Sequence, residues 1–144
     1  RELGWGILFI VGGGMSLGVA MSRSGLSEWI VSLVPFQSMS SMGILLVFAV
    51  TAAIMTTFIS NSATANLLLP IVVGITAISP QPAALVVALT SSAAMVLPVS
   101  TPPNAIAYGS GRIGVGDMAR PGSAVTLIAI LLITAFIYAI FRGG

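Results

Sequence analysis

The chain has 144 residues, 57% of them hydrophobic and 6% charged, and five arginines against three acids leave a net charge of +2. Its mean hydropathy is strongly positive, whereas a soluble domain carries about 25% charged residues, so the fold class is an all-α integral membrane protein with the lipid bilayer as its surroundings. The absence of cysteine and histidine excludes thiolate and imidazole metal sites and all catalysis built on those side chains, and so few charges give no nucleic-acid signal.

Arg1 and Glu2 open the chain without a methionine. The apolar stretch over residues 3–21 is too long for a signal peptide and lacks both a basic start and a small-residue cleavage site. The sequence therefore reads as a piece of a longer protein. Within this stretch, Gly12-Gly13-Gly14 has no following Lys-Ser/Thr and sits in apolar surroundings. It is read as close helix packing rather than a phosphate loop. Arg23, Ser24, Gly25 and Glu28 then interrupt the run, and residues 24–34 suit an amphipathic segment at the membrane interface. Trp5, Trp29 and Tyr138 are of the type that anchors at that interface. Pro35 and the polar residues up to Ser41 make a loop.

The second and third apolar stretches cover residues 42–59 and 63–78, separated by Ser60-Asn61-Ser62. Nothing between them resembles a water-exposed loop, and arms of about 17 residues are at the short end of what spans a bilayer. A re-entrant helical hairpin fits better than two crossings, although Ser-Asn-Ser would also serve as a short turn outside the membrane. Pro80-Gln81-Pro82 reads as a turn. A fourth stretch over residues 83–99 is broken by Pro98 and by Ser100-Thr101-Pro102-Pro103-Asn104, giving a discontinuous transmembrane helix that resumes at Pro103. A structural kink is the plainer alternative there. The fifth stretch, residues 124–141, is an ordinary span that ends at Arg142. Arg112 and Arg120 place the loop over residues 112–120 in the cytoplasm and the C-terminus outside, by the positive-inside tendency.

Both interruptions gather neutral oxygen-bearing groups where backbone leaves its helix. Such backbone survives at membrane depth only when buried in protein or lining a wet cavity. A broken helix offers carbonyls at one end, suited to a cation, and amides at the other, suited to an anion. This is how discontinuous helices build ion and substrate sites in secondary transporters. Asn66, about one turn past the tip, faces protein or cavity rather than lipid. Ser91 and Ser92 are expected to bond back to carbonyls one turn earlier, with lining the cavity as the alternative. Glu2, Glu28 and Asp117 all fall near ends or loops. No carboxylate pair or nucleophile–base pair lies in the apolar segments, so the chain shows no enzymatic machinery. Oxygen-only ligands favour a hard alkali cation over a proton.

The run Phe58-Ile59-Ser60-Asn61-Ser62-Ala63-Thr64-Ala65, closing at Leu69-Pro70, resembles the hairpin-tip signature of the divalent-anion/sodium symporter family. Members of that family carry dicarboxylates, citrate or sulfate. Leu97-Pro98-Val99-Ser100-Thr101-Pro102-Pro103-Asn104-Ala105-Ile106 is similar to the second site motif, and Trp5-Gly6-Ile7-Leu8-Phe9 through Gly12-Gly13-Gly14 to the preceding span. The resemblance implies two inverted repeats, with this chain as the C-terminal part of the second. Residues 1–41 would be a scaffold helix and interfacial segment, residues 42–79 the re-entrant hairpin, and residues 80–144 the broken helix and last span of the transport domain. Where the family tip reads Ser-Asn-Thr, Ser62 keeps the hydroxyl and loses a methyl, which bears on substrate choice more than on binding.

The same resemblance implies a sodium site from Thr56, Ser60 and Asn61 with the loop at Ser100 and Pro102. Asn61, Ser62 and Thr101 would meet the substrate carboxylates, and Pro103 and Asn104 would shape the loop. It further implies sodium as the coupling ion, a divalent anion as substrate, the missing N-terminal repeat as partner, and a homodimer through the scaffold. No lysine or arginine lies near either motif, so helix N-termini, neutral donors and bound sodium must compensate a dianion. The alternatives are a citrate–metal or arsenite carrier of the wider superfamily and a non-transporting membrane scaffold subunit.

Overall fold

The computed structural model describes residues 35–75, 78–93, 95–97 and 102–142, with scattered positions between 12 and 33. The expected first span and interfacial segment lie largely outside the described residues, as do Ser100 and Thr101. The described elements are all helical: a 3-10 turn at Phe36–Ser38, then α1 (Ser41–Phe58), α2 (Asn61–Gly74), α3 (Pro80–Ala93), α4 (Pro102–Gly109) and α5 (Val115–Phe141).

α1 starts where the Ser40 hydroxyl accepts the Gly43 N–H at 3.2 Å, the usual role of serine before a helix. It runs without a charged residue until Ile59 turns extended. Its 18 residues rise about 27 Å. Ser60 then caps α2, whose 14 residues rise only about 21 Å, well short of a bilayer core of about 30 Å.

Two expectations from the sequence are revised by where prolines fall. Pro80 and Pro82 lie inside the first turn of α3 rather than in a turn of their own, because the first N–H groups of a helix have no intrahelical acceptor to lose. At its other end α3 stops at Ala93 instead of reaching toward Val99. Pro98 has no N–H for the carbonyl four residues earlier and its ring crowds that position. α5 also begins early, at Val115 instead of residue 124, because the Asp117 carboxylate accepts the Gly114 N–H at 3.0 Å and starts the helix there. Arg120 is therefore helical and exposed rather than part of the loop.

α1, α3 and α5 pack on one another, and α2 lies against α3 and α1. The first turns of α1 and α3 and the end of α5 surround one cavity of about 250 Å³, lined by Ser41, Leu45, Pro82, Tyr138 and Arg142. α1 and α3 thus point the same way and α5 opposes them. Ile44, Leu45, Phe48, Leu68, Val72, Val86, Val87 and Ile137 form the core, and Phe36 stacks on Phe48 with ring centres 5.9 Å apart, pinning the loop before α1.

α5 is ordered the opposite way from a soluble helix. Its buried face is Gly122, Thr126, Ile130, Thr134 and Ile137, while Leu132 and Phe136 on the other side are 65% and 64% exposed. A buried face that mixes glycine and threonine with Ile130 and Ile137, under large apolar residues outside, is the pattern of a helix whose solvent is lipid or further protein. α1 and α5 are each long and apolar enough to cross a membrane.

Candidate functional site

The site is built where α1 ends, α2 begins and α3 is about to end. Thr56 is fully buried in the last turn of α1. Its hydroxyl donates to the Asn61 side-chain oxygen at 2.5 Å and lies 3.2 Å from the backbone carbonyl of Ser91. One hydroxyl proton cannot serve both acceptors at once. Three neutral oxygens from three helices thus converge with more acceptor capacity than donors. That donor set suits a hard cation that takes only oxygen ligands. No cluster of acids, histidines or cysteines able to hold a metal occurs among the described residues.

Local chain chemistry explains the convergence. Asn61 is the first residue of α2, one position after the capping serine, so it sits beside the free N–H groups of that helix. The Ser60 hydroxyl accepts from Ala63 N–H at 3.2 Å. In that geometry its oxygen serves the helix start, and its side chain is exposed, as is that of Ser62. Thr57, next to Thr56, bonds instead to the Ala53 carbonyl at 2.7 Å, the common resting place of a helical threonine. The hydroxyl of Thr56 is the one that leaves its own helix.

At the second interruption, α4 starts at Pro102, with Pro103 in its first turn. Asn104 donates its side-chain N–H to the Leu97 carbonyl at 3.2 Å, bridging the gap between α3 and α4. Among the residues singled out in the sequence, the structure brings Thr56 and Asn61 into contact and places Ser60 and Ser62 beside them in the chain. It links Asn104 across the break. Ser100 and Thr101 lie outside the described residues.

For Ser91, sequence reasoning favoured a back-bonded hydroxyl over a place in the cavity and did not foresee a role for its carbonyl. Ser92 bonds back to the Ala88 carbonyl at 3.1 Å as expected, but the Ser91 hydroxyl is buried with no partner among the described residues, and its carbonyl faces Thr56. No sequence signal marked it: Pro98 removes the donor of the Ala94 carbonyl, whereas the donor for Ser91 would be the Met95 N–H.

Comparison with known proteins matches residues 1–142 to the family described as the sodium:sulfate symporter transmembrane region. The chain is 37% identical over 142 residues to the sodium-dependent dicarboxylate transporter SdcS of Staphylococcus saprophyticus, covering 96% of this chain and 27% of that protein. It is 38% identical over 142 residues to SdcS of Staphylococcus aureus strain MRSA252, with the same coverage of 96% and 27%. To human solute carrier family 13 member 2 it is 37% identical over 137 residues, covering 92% of this chain and 23% of that protein. The chain thus spans about a quarter of the length of the curated relatives it matches.

Proposed function

Because the chain belongs to the sodium:sulfate symporter family, we propose that it is part of a secondary active transporter that couples sodium to the movement of a divalent anion. The observation that carries this reading is the meeting of Thr56, Asn61 and the Ser91 carbonyl, an oxygen-only cluster between three helices. The names of two relatives, sodium-dependent dicarboxylate transporters, support a dicarboxylate as the anion.

In this reading the cation takes the carbonyl side of the site and the anion takes the amide side. Thr56, Ser60, Asn61 and the loop at Ser100 and Pro102 hold sodium, with the Ser91 carbonyl at the same place. Asn61, Ser62 and Thr101 meet the carboxylates, and Pro103 and Asn104 shape the loop. The Asn61 amide oxygen already faces the Thr56 hydroxyl, so sodium at this cluster would meet the oxygen and leave the N–H₂ for the anion. Without sodium the anion meets only neutral dipoles, which makes coupling a consequence of the donor set.

The short α2, too short to cross alone, supports a re-entrant hairpin made with α1. The separation of α3 from α4 supports a discontinuous membrane helix. Residues 42–79 and 80–144 then belong to a moving transport domain, and residues 1–41 to the scaffold through which a homodimer forms. An N-terminal repeat of the same protein supplies the other half of the site. Arg112 and Arg120 lie on the cytoplasmic side and the C-terminus outside. A transporter role, rather than an enzymatic one, accords with the relatives' names.

The test is uptake of succinate and of sulfate by the complete protein in proteoliposomes, with and without an inward sodium gradient. Accumulation that requires sodium is expected. Uptake that proceeds equally in potassium would sink this reading and favour a citrate–metal or arsenite type of carrier.

A further inference from the structure

In a continuous α3 the Ser91 carbonyl would accept the N–H of the residue four positions on, Met95. Met95 is not helical, and its N–H donates instead to the Thr126 hydroxyl of α5 at 3.3 Å. One turn before Thr126, Gly122 gives the same segment room. A Cβ at Gly122 would fall 2.3 Å from the Met95 carbonyl oxygen and 3.1 Å from the Val96 Cα. The obstacle is backbone rather than a flexible side chain, so no rotamer relieves it. Two residues later the Leu97 carbonyl is held by Asn104 of α4. The strap of residues 95–97 is therefore fixed at one end by α5 and at the other by α4.

We propose that Gly122 and Thr126 are positioning residues: they hold the end of α3 unwound and so free the Ser91 carbonyl to face Thr56 at the cation site. This rests on the sodium-site reading given above. Neither residue touches the ion or the anion. Thr126 takes the donor that would otherwise occupy Ser91, and Gly122 lets the strap lie close enough for that exchange. Thr126 is 6% exposed and Gly122 is buried, so both act from within the packed interface of α3 and α5.

The test pairs a transport readout with a structural one, both on the complete protein. In sodium titrations of succinate uptake, Thr126→Val is expected to raise half-saturating sodium about fivefold or more, the scale of one lost hydrogen bond, with the maximal rate changed by less than about twofold. Thr126→Ser keeps the hydroxyl and should restore the wild-type value. Gly122→Ala should raise half-saturating sodium further, and Thr126→Val keeps the idea testable if Gly122→Ala does not insert. Independently of transport, amide hydrogen exchange of a peptide covering residues 91–97 should speed up in Thr126→Val and return to wild type in Thr126→Ser. Unchanged exchange and unchanged sodium dependence in Thr126→Val at wild-type protein levels overturn the proposal. If the wild-type protein shows no sodium dependence, the functional reading falls, and the exchange measurement still decides whether Thr126 holds the strap.

Discussion

The Thr56 hydroxyl and the Asn61 side-chain oxygen lie 2.5 Å apart across the junction of α1 and α2. The contact links the last turn of one helix to the first residue of the next over a two-residue break. It therefore fixes the hairpin tip without any charged group. In the proposed reading a cation arriving here would replace this hydrogen bond with direct ligation, so the structural bond and the proposed binding event compete for the same oxygens.

Replacing Thr56 by valine keeps the shape and removes the hydroxyl. Stability should fall by about 1 kcal/mol, as for one neutral hydrogen bond. Half-saturating sodium should rise by about tenfold or more, since ligation by a hydroxyl is lost along with tip geometry. Thr56→Ser should stay near wild type in both. Sodium titration of uptake, with thermal unfolding of the purified protein, separates the two effects; a valine variant with normal sodium dependence would remove Thr56 from the site.

Asn61→Asp separates cation from anion. A carboxylate at the first position of α2 is favourable to the helix by about 0.3–1 kcal/mol, and it still accepts from Thr56. Sodium binding should be kept or strengthened. A single substrate carboxylate about 4 Å from the new charge would lose about 4 kcal/mol at an effective dielectric constant of about 20, so succinate uptake should disappear. Sodium-induced protection of the tip from proteolysis reports cation binding without transport. If uptake survives, Asn61 does not face the substrate.

The class of protein and the two interruptions were legible in the sequence because lipid tolerates few polar groups, so Ser60-Asn61-Ser62 and the segment at residues 100–104 stood out. The pairing of Thr56 with Asn61 was expected through the family resemblance, and the contact between their side chains is what the structure adds. The role of Ser91 was not. A backbone carbonyl has no side-chain signature, and here it is redirected by a contact with Thr126 on another helix. The prolines at positions 80 and 82 misled for a related reason: proline ends a helix from inside but starts one from its first turn, and only the fold tells which.

Ser40 and Ser60 cap successive helices with the same geometry, each accepting the N–H three residues on at 3.2 Å. Ser40→Ala and Ser60→Ala should each cost about 1 kcal/mol of stability. Only Ser60→Ala should also weaken sodium dependence, because only that serine adjoins the tip. Equal transport in the two variants would mean that Ser60 is a cap and nothing more.

Thr134 offers the opposite kind of prediction. Its hydroxyl is fully buried on the inner face of α5 and has no hydrogen-bond partner among the described residues. A buried hydroxyl without a partner carries a desolvation cost of about 1–3 kcal/mol, and removing it at constant shape recovers part of that cost. Thr134→Val should therefore leave thermal stability unchanged or raise it, and should leave uptake intact, since Thr134 lies on α5 two turns beyond Thr126, away from the strap of residues 95–97. The contrast with Thr126→Val matters: two threonines on one helix face, replaced by the same isostere, should behave oppositely because one hydroxyl holds the Met95 N–H and the other holds nothing described. Thermal unfolding and sodium-driven uptake measured on both variants decide it. A clear loss of stability in Thr134→Val would overturn this reading of the Thr134 hydroxyl.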